Sequence, residues 1–128
     1  MGNAAAVKVL LVEDDDRLAF NLKLLLESEG YEVARLVNGL DLMEQLEVHR
    51  PAVILLDVML SWVNGYDLCR GVKESPRWSG TPVVMISGLV SEGHQLKGRE
   101  AGCDDYFTKP LDLDRLFDRL GELAEGPR

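Results

Sequence analysis

Short apolar runs alternate along this chain with stretches in which apolar side chains return every third or fourth position. Val9-Leu10-Leu11-Val12, Val53-Ile54-Leu55-Leu56 and Val83-Val84-Met85-Ile86 read as buried strands, joined by the more mixed Tyr31–Leu36 and Tyr106-Phe107-Thr108. The helical period between them predicts crossover helices, so the chain reads as βαβ units around a parallel sheet. Leu18, Leu22, Leu25 and Leu26 mark the apolar stripe of a helix over 16–29, capped by the Asp14-Asp15-Asp16 run and stopped by Gly30. Leu42, Met43 and Leu46 mark a second helix after an Asn38-Gly39 turn, with Pro51 ending the connection, and Leu68, Cys69 and Val72 mark a third that stops before Pro76. A helix over 91–101 is expected to be the most mobile, because its apolar stripe is thin and Gly93 and Gly98 each cost about 1 kcal/mol against alanine. Leu113, Leu116, Phe117, Leu120 and Leu123 give the last helix.

The whole pattern fits one domain over 7–124, with short tails at 1–6 and 125–128. With 14 Lys and Arg against 22 Asp and Glu, the formal charge is −8, which repels nucleic acid on average. Cys69 and Cys103 each lie in an apolar stretch and read as reduced, packed thiols. No apolar run approaches the ~20 residues of a membrane span, so a soluble cytoplasmic protein is expected.

Four of the runs end on residues with chemistry: Glu13-Asp14, Asp57, Ser87 and Lys109. Ligands of open α/β sheets bind outside the carboxyl ends of the strands, so parallel pairing gathers these side chains at one edge. Three carboxylates in one pocket repel each other unless a cation or proton intervenes, and a hard divalent ion such as Mg²⁺ suits oxygen donors. Residues 13–16 also read as a solvated capping cluster. Asp57 does not, because an aspartate after four buried aliphatics needs a partner; Lys109 is the candidate, as a structural ion pair or as part of a site. Gly88 lets a ligand approach the backbone. Lys109 precedes Pro110, and a cis bond there is an open option.

Leu10-Leu11-Val12-Glu13-Asp14-Asp15, Asp57-Val58-Met59-Leu60 with Asn64-Gly65 behind it, Thr81–Ser87 and Glu100–Pro110 together resemble the receiver domain of two-component response regulators. The resemblance implies a flavodoxin-like five-stranded sheet of order 2-1-3-4-5 with five helices on both faces. It implies Asp57 as phosphoacceptor, Mg²⁺ held by Glu13, Asp14, Asp57 and the Met59 carbonyl, and phosphoryl contacts from Ser87, Gly88 and Lys109. By the same likeness Ser87 and Tyr106 form a switch acting on the 91–101, 105–108 and 113–123 face. Ser87 moves toward the phosphoryl group and opens space for the Tyr106 ring. Met59 and Leu89, apolar at positions that are often polar in the family, imply a long-lived phosphoryl group. The implied partners are a histidine kinase or histidine phosphotransfer protein and a downstream effector or output domain, with no direct nucleic acid and no membrane. The implied chemistry is limited to the chain's own aspartyl phosphorylation and dephosphorylation.

The chain departs from the family pattern at Glu13, where Asp is common, and at Gly88 and Cys103, where Ala is. Ser61 and Asn64 stand where Pro and Asp are frequent, with Trp62 between them, which implies a less rigid loop. Competing readings remain. A pseudo-receiver would act only as an interaction module. An aspartyl-phosphate hydrolase of the haloacid-dehalogenase type would need a second Asp two residues after Asp57, where Met59 stands. A dinucleotide fold is disfavoured because no Gly-x-Gly-x-x-Gly follows the first strand.

Overall fold

The computed structural model describes residues 6–89 and 91–125, so the expected tails lie almost wholly outside the described residues. Strands and helices alternate as β1 (Lys8–Val12), α1 (Asp16–Ser28), β2 (Glu32–Leu36), α2 (Leu42–His49), β3 (Val53–Asp57), α3 (Gly65–Glu74), β4 (Val83–Ser87), α4 (Glu92–Glu100), β5 (Asp105–Thr108) and α5 (Leu113–Glu125). The strands pair in parallel in the flavodoxin-like order β2-β1-β3-β4-β5.

Successive strand residues point to opposite faces, and each face carries its own core. Val9, Leu11, Val53, Leu55, Val84 and Ile86 pack under α1 and α5, against Leu22, Leu26, Leu116 and Leu120. Leu10, Val12, Ile54, Leu56, Val83 and Met85 pack on the other side against Leu42, Leu46, Cys69 and Val72. With helices on both faces, every position of β3 and β4 is buried, which is why these runs show no polar alternation. Two stripe residues are corrected: Leu25 and Met43 are exposed. The buried stripe of α1 is Ala19, Leu22 and Leu26, and that of α2 is Leu42 and Leu46; a 100° step per residue turns the adjacent leucine and methionine off the sheet.

Strand order reverses between β1 and β3, so the crevice at their carboxyl ends is the topological switch point. Local structure fixes the approaches to it. Asp15 caps α1 by accepting from the Arg17 and Leu18 N–H groups. Asn64 caps α3 through the Tyr66 N–H, and the Gly65 N–H donates to the Val58 carbonyl at 2.9 Å. A Cβ on Gly65 would lie 2.6 Å from the Asp57 carbonyl oxygen and 2.6 Å from Val58 Cα, so only glycine lets α3 start against the backbone that presents Asp57. No helix among the described residues is long and apolar enough to cross a membrane.

Gly65→Ala should therefore destabilise the fold by about 1–3 kcal/mol through overpacking against backbone. Gly71→Ala on the same helix, where a Cβ meets nothing within 4 Å, should be neutral or stabilising by up to about 1 kcal/mol. Urea unfolding midpoints of the two variants check the contrast, and equal midpoints would rule out the close approach.

Candidate functional site

Parallel pairing brings the expected residues to one edge. Asp57 closes β3 opposite Ile86, so Ser87 ends the neighbouring strand one step beyond, and Ser87 pairs with Thr108 just before Lys109. The Lys109 N–H donates to the Ser87 carbonyl at 2.8 Å, and the Lys109–Pro110 bond is cis. Asp57 is 3% exposed. Its Oδ1 accepts from the Met59 N–H at 2.8 Å and its Oδ2 from Lys109 Nζ at 2.9 Å.

Glu13, Asp14 and Asp57 each place a carboxylate oxygen within 4.8 Å of the others. Glu13 is wholly buried; its Oε2 accepts from the Asp15 N–H, while Oε1 faces no donor and lies 3.8 Å from Lys109 Nζ. Burial, followed by the hydrogen bond and negative charge of Asp57, pushes the Glu13 carboxyl up to about 8. Burial works to lower the Lys109 ammonium, but its bond to Asp57 and the charges of Asp57 and Glu13 prevail and raise it. Burial likewise works to raise Asp14, yet the hydrogen bonds from Ser61 hold it below the usual carboxylate range. A buried, unpartnered carboxylate oxygen facing two further carboxylates fits a hard divalent cation.

Ser87 is fully buried, and its Oγ accepts from the Leu89 N–H at 2.9 Å. A Cβ on Gly88 would meet nothing within 4 Å, so the protein itself does not require glycine there. Tyr106 is half-buried and its hydroxyl donates to the Leu89 carbonyl at 3.0 Å. Its ring lies against α4, where a Cβ on Gly98 would come within 2.8 Å of Tyr106 Cδ2. Met59, 60% exposed, and Leu89 line the mouth of the crevice with Trp62, which is also exposed and holds φ at 74°, in the left-handed region. Burial raises the Cys69 thiol to about 12 and the Cys103 thiol to about 11, which disfavours the thiolate of each at neutral pH.

Two contributors escape a reading of the sequence. Arg35 on β2 donates from Nε to the Glu13 carbonyl at 2.8 Å, and its guanidinium lies 2.9 Å from Asp16, so it braces the β1–α1 loop that carries the acidic pair. Ser61, expected only as a departure in a looser loop, ties that loop down: its N–H and hydroxyl both donate to Asp14 Oδ2 at 2.8 Å. A strand-end charge beside the first strand signals Arg35 once the pairing of Leu11 with Arg35 is known. Nothing in the sequence signals Ser61.

A family model described as the response regulator receiver domain matches residues 9–121. The chain is 41% identical over 112 residues to the transcriptional regulatory protein CseB of Streptomyces coelicolor, covering 88% of this chain and 47% of that protein. It thus spans about half the length of that relative. A putative response regulator from Chloroflexus aurantiacus superposes with a TM-score of 0.88 at 32% identity, covering 94% of this chain and 98% of the other. The receiver domain of a sensor histidine kinase from Pseudomonas aeruginosa PAO1, described with a magnesium ion coordinated in its active-site cleft, gives 0.86 at 25% identity, covering 95% of this chain and 100% of the other.

The raised Glu13 carboxyl has a definite sign in folding. Between its ordinary value of 4.5 and about 8 the folded protein binds a proton that the unfolded chain does not, so this group makes stability fall as pH rises through that interval. In metal-free buffer, thermal unfolding from about pH 5 to about pH 8 should show a decline that Glu13→Gln flattens. Parallel profiles for the two proteins would mean that Glu13 is ionised throughout.

Proposed function

The chain belongs to the family of response regulator receiver domains, and from that premise we propose that it accepts a phosphoryl group on Asp57 from a histidine kinase or histidine phosphotransfer protein and signals by changing its affinity for a downstream effector or output domain. The observation that carries this reading is Asp57 itself: a buried carboxylate at the switch point, held by Lys109 and the Met59 N–H and faced by Glu13 and Asp14.

In this reading an Asp57 oxygen attacks the phosphorus of a phosphohistidine. The P–N bond breaks, and its electron pair stays on the departing imidazole nitrogen, which regains a proton. Mg²⁺, held by Glu13, Asp14, Asp57 and the Met59 carbonyl, supplies charge neutralisation for phosphoryl transfer. Lys109 pairs with the phosphoryl oxygens from the β5 side, and the Ser87 hydroxyl and Gly88 N–H bind them from β4. Ser87 and Tyr106 then bias the face of α4, β5 and α5. The chemistry ends with the chain's own phosphorylation and dephosphorylation. A cytoplasmic setting follows from these partners.

A structural Asp57–Lys109 pair accounts for their 2.9 Å contact but supplies no donor to Glu13 Oε1, which a bound cation would meet. Leu24 and Leu25 on α1 leave apolar surface beside Lys109, Pro110 and Leu111 at the rim of the same edge, which supports docking of the phosphodonor there.

Acetyl phosphate with Mg²⁺ tests the reading. Wild type should incorporate phosphate and Asp57→Asn should not, since the amide lacks the anionic nucleophile, whereas Lys109→Ala should be phosphorylated but activate weakly. Incorporation into Asp57→Asn at the wild-type level would overturn the choice of nucleophile, and none into wild type would leave a pseudo-receiver.

The lifetime of the phosphoryl group follows from the mouth of the crevice. Neither Met59 nor Leu89 carries a side-chain group that can hold a water in line with phosphorus. Replacing Met59 with Asn and Leu89 with Glu should speed loss of phosphate by about tenfold or more, equivalent to ~1.4 kcal/mol from one good hydrogen bond to the attacking water. Decay followed in Mg²⁺ without kinase or phosphatase decides it, and an unchanged rate would remove these side chains from control of the water.

A further inference from the structure

A run of hydrogen-bonding groups leads from the rim of the site to α4. Ser87 Oγ accepts from the Leu89 N–H at 2.9 Å. The carbonyl of the same Leu89 accepts from the Tyr106 hydroxyl at 3.0 Å. That hydroxyl lies 3.4 Å from the hydroxyl of Tyr66, and Tyr66 in turn donates to the His94 carbonyl at 3.0 Å. Tyr66 sits in the first turn of α3, 7% exposed, and His94 in the first turn of α4. The run therefore joins the β4–α4 loop, β5, α3 and α4.

The protons in this run do not suffice for its acceptors. Each tyrosine hydroxyl has one proton to give, yet three acceptors face the pair: the Leu89 carbonyl, the His94 carbonyl and whichever hydroxyl oxygen is not donating across the 3.4 Å gap. Three arrangements each make two bonds and leave a different contact without a proton. In one, both carbonyls are bonded and the hydroxyl oxygens face each other without a proton between them. In the second, Tyr106 donates to Tyr66 and the Leu89 carbonyl is released. In the third, Tyr66 donates to Tyr106 and the His94 carbonyl is released. Equal bond counts mean that a small displacement at either end selects among them.

We propose that Tyr66 is a positioning residue of the switch, coupling the β4–α4 loop to the first turn of α4 through its hydroxyl. When the Leu89 carbonyl is drawn from Tyr106, the Tyr106 hydroxyl keeps a bond by turning its proton to Tyr66, and the ring stays beneath α4. When the Leu89 carbonyl returns, the proton returns with it. Gly98 makes the juxtaposition sterically possible: a Cβ there would lie 2.8 Å from Tyr106 Cδ2 and 3.2 Å from Cys103 Sγ. Phenylalanine at 66 would take away both the alternative acceptor for Tyr106 and the donor to His94. Alanine at 98 would crowd the Tyr106 ring while leaving the Tyr66 hydroxyl in place, and alanine is a better helix former than glycine.

The proposal rests on phosphorylation of Asp57 only for the direction in which the signal travels, so two measurements are combined. In the protein without phosphodonor, hydrogen exchange of the α4 amides of residues 95–98 should be about threefold or more faster in Tyr66→Phe than in wild type, with the amides of Leu22 and Leu26 unchanged. After treatment with acetyl phosphate and Mg²⁺, both Tyr66→Phe and Gly98→Ala should take up phosphate at the wild-type rate and shift the Leu89 amide resonance as wild type does. Their α4 amide shifts should fall to about half of the wild-type values or less. Wild-type exchange in α4 of Tyr66→Phe, or full α4 shifts in both variants, would overturn the role of Tyr66. Faster exchange in Tyr66→Phe together with no phosphate uptake by wild type would uphold the coupling and overturn the phosphorylation reading instead.

Discussion

Asp57 ends a strand that is buried on both faces, and an anion so placed costs several kcal/mol, as an order of magnitude, unless its charge is met. Lys109 meets it from β5, at 2.9 Å. The Met59 N–H takes the other oxygen, which stiffens the start of the β3–α3 loop. The next carboxylate inward, Glu13, is denied such relief: one oxygen has a backbone donor and the other has none. The fold tolerates that by favouring the proton on Glu13, and the same imbalance makes the crevice receptive to a cation.

That concentration of charge needs a rigid frame, and the sheet supplies it. Reversal of strand order between β1 and β3 leaves a crevice that no crossover covers, with β1 carrying the acidic pair on one side and β3 carrying Asp57 on the other. Arg35 braces one loop and Ser61 ties the other to Asp14, so the two loops flanking the crevice are linked through the acidic residue they share. Gly65 lets α3 begin in contact with the backbone of Asp57 and Val58. Displacement of the acidic residue is thereby opposed from several directions.

The opposite side of the site is built more loosely in energetic terms. At the two tyrosines, three acceptors compete for two hydroxyl protons. Such a network is suited to rearrangement, because one bond is exchanged for another and none is simply lost. A stiff acidic half and an exchangeable hydroxyl half thus share one pocket.

Much of this was legible from the chain. Unbroken apolar runs at 9–12, 53–56 and 83–86 read as strands covered on both faces, and their alternation with helical periods points to parallel pairing. Parallel pairing in turn brings strand-end residues together, so Glu13, Asp14, Asp57, Ser87 and Lys109 could be assembled before any coordinate was known. Burial within a helix was less legible: α1 has more leucines than one face can hide, and local spacing cannot say that Leu26 goes inward while Leu25 does not. Ser61 meets Asp14 across 47 residues through two hydrogen bonds and Tyr66 meets His94 across 28 through one, and their donors and acceptors are common everywhere in a sequence. Hydrophobic periodicity survives in one dimension because burial is dictated element by element. A hydrogen bond between distant loops depends on ångström placement, and that placement exists only after the sheet has closed and the helices have docked.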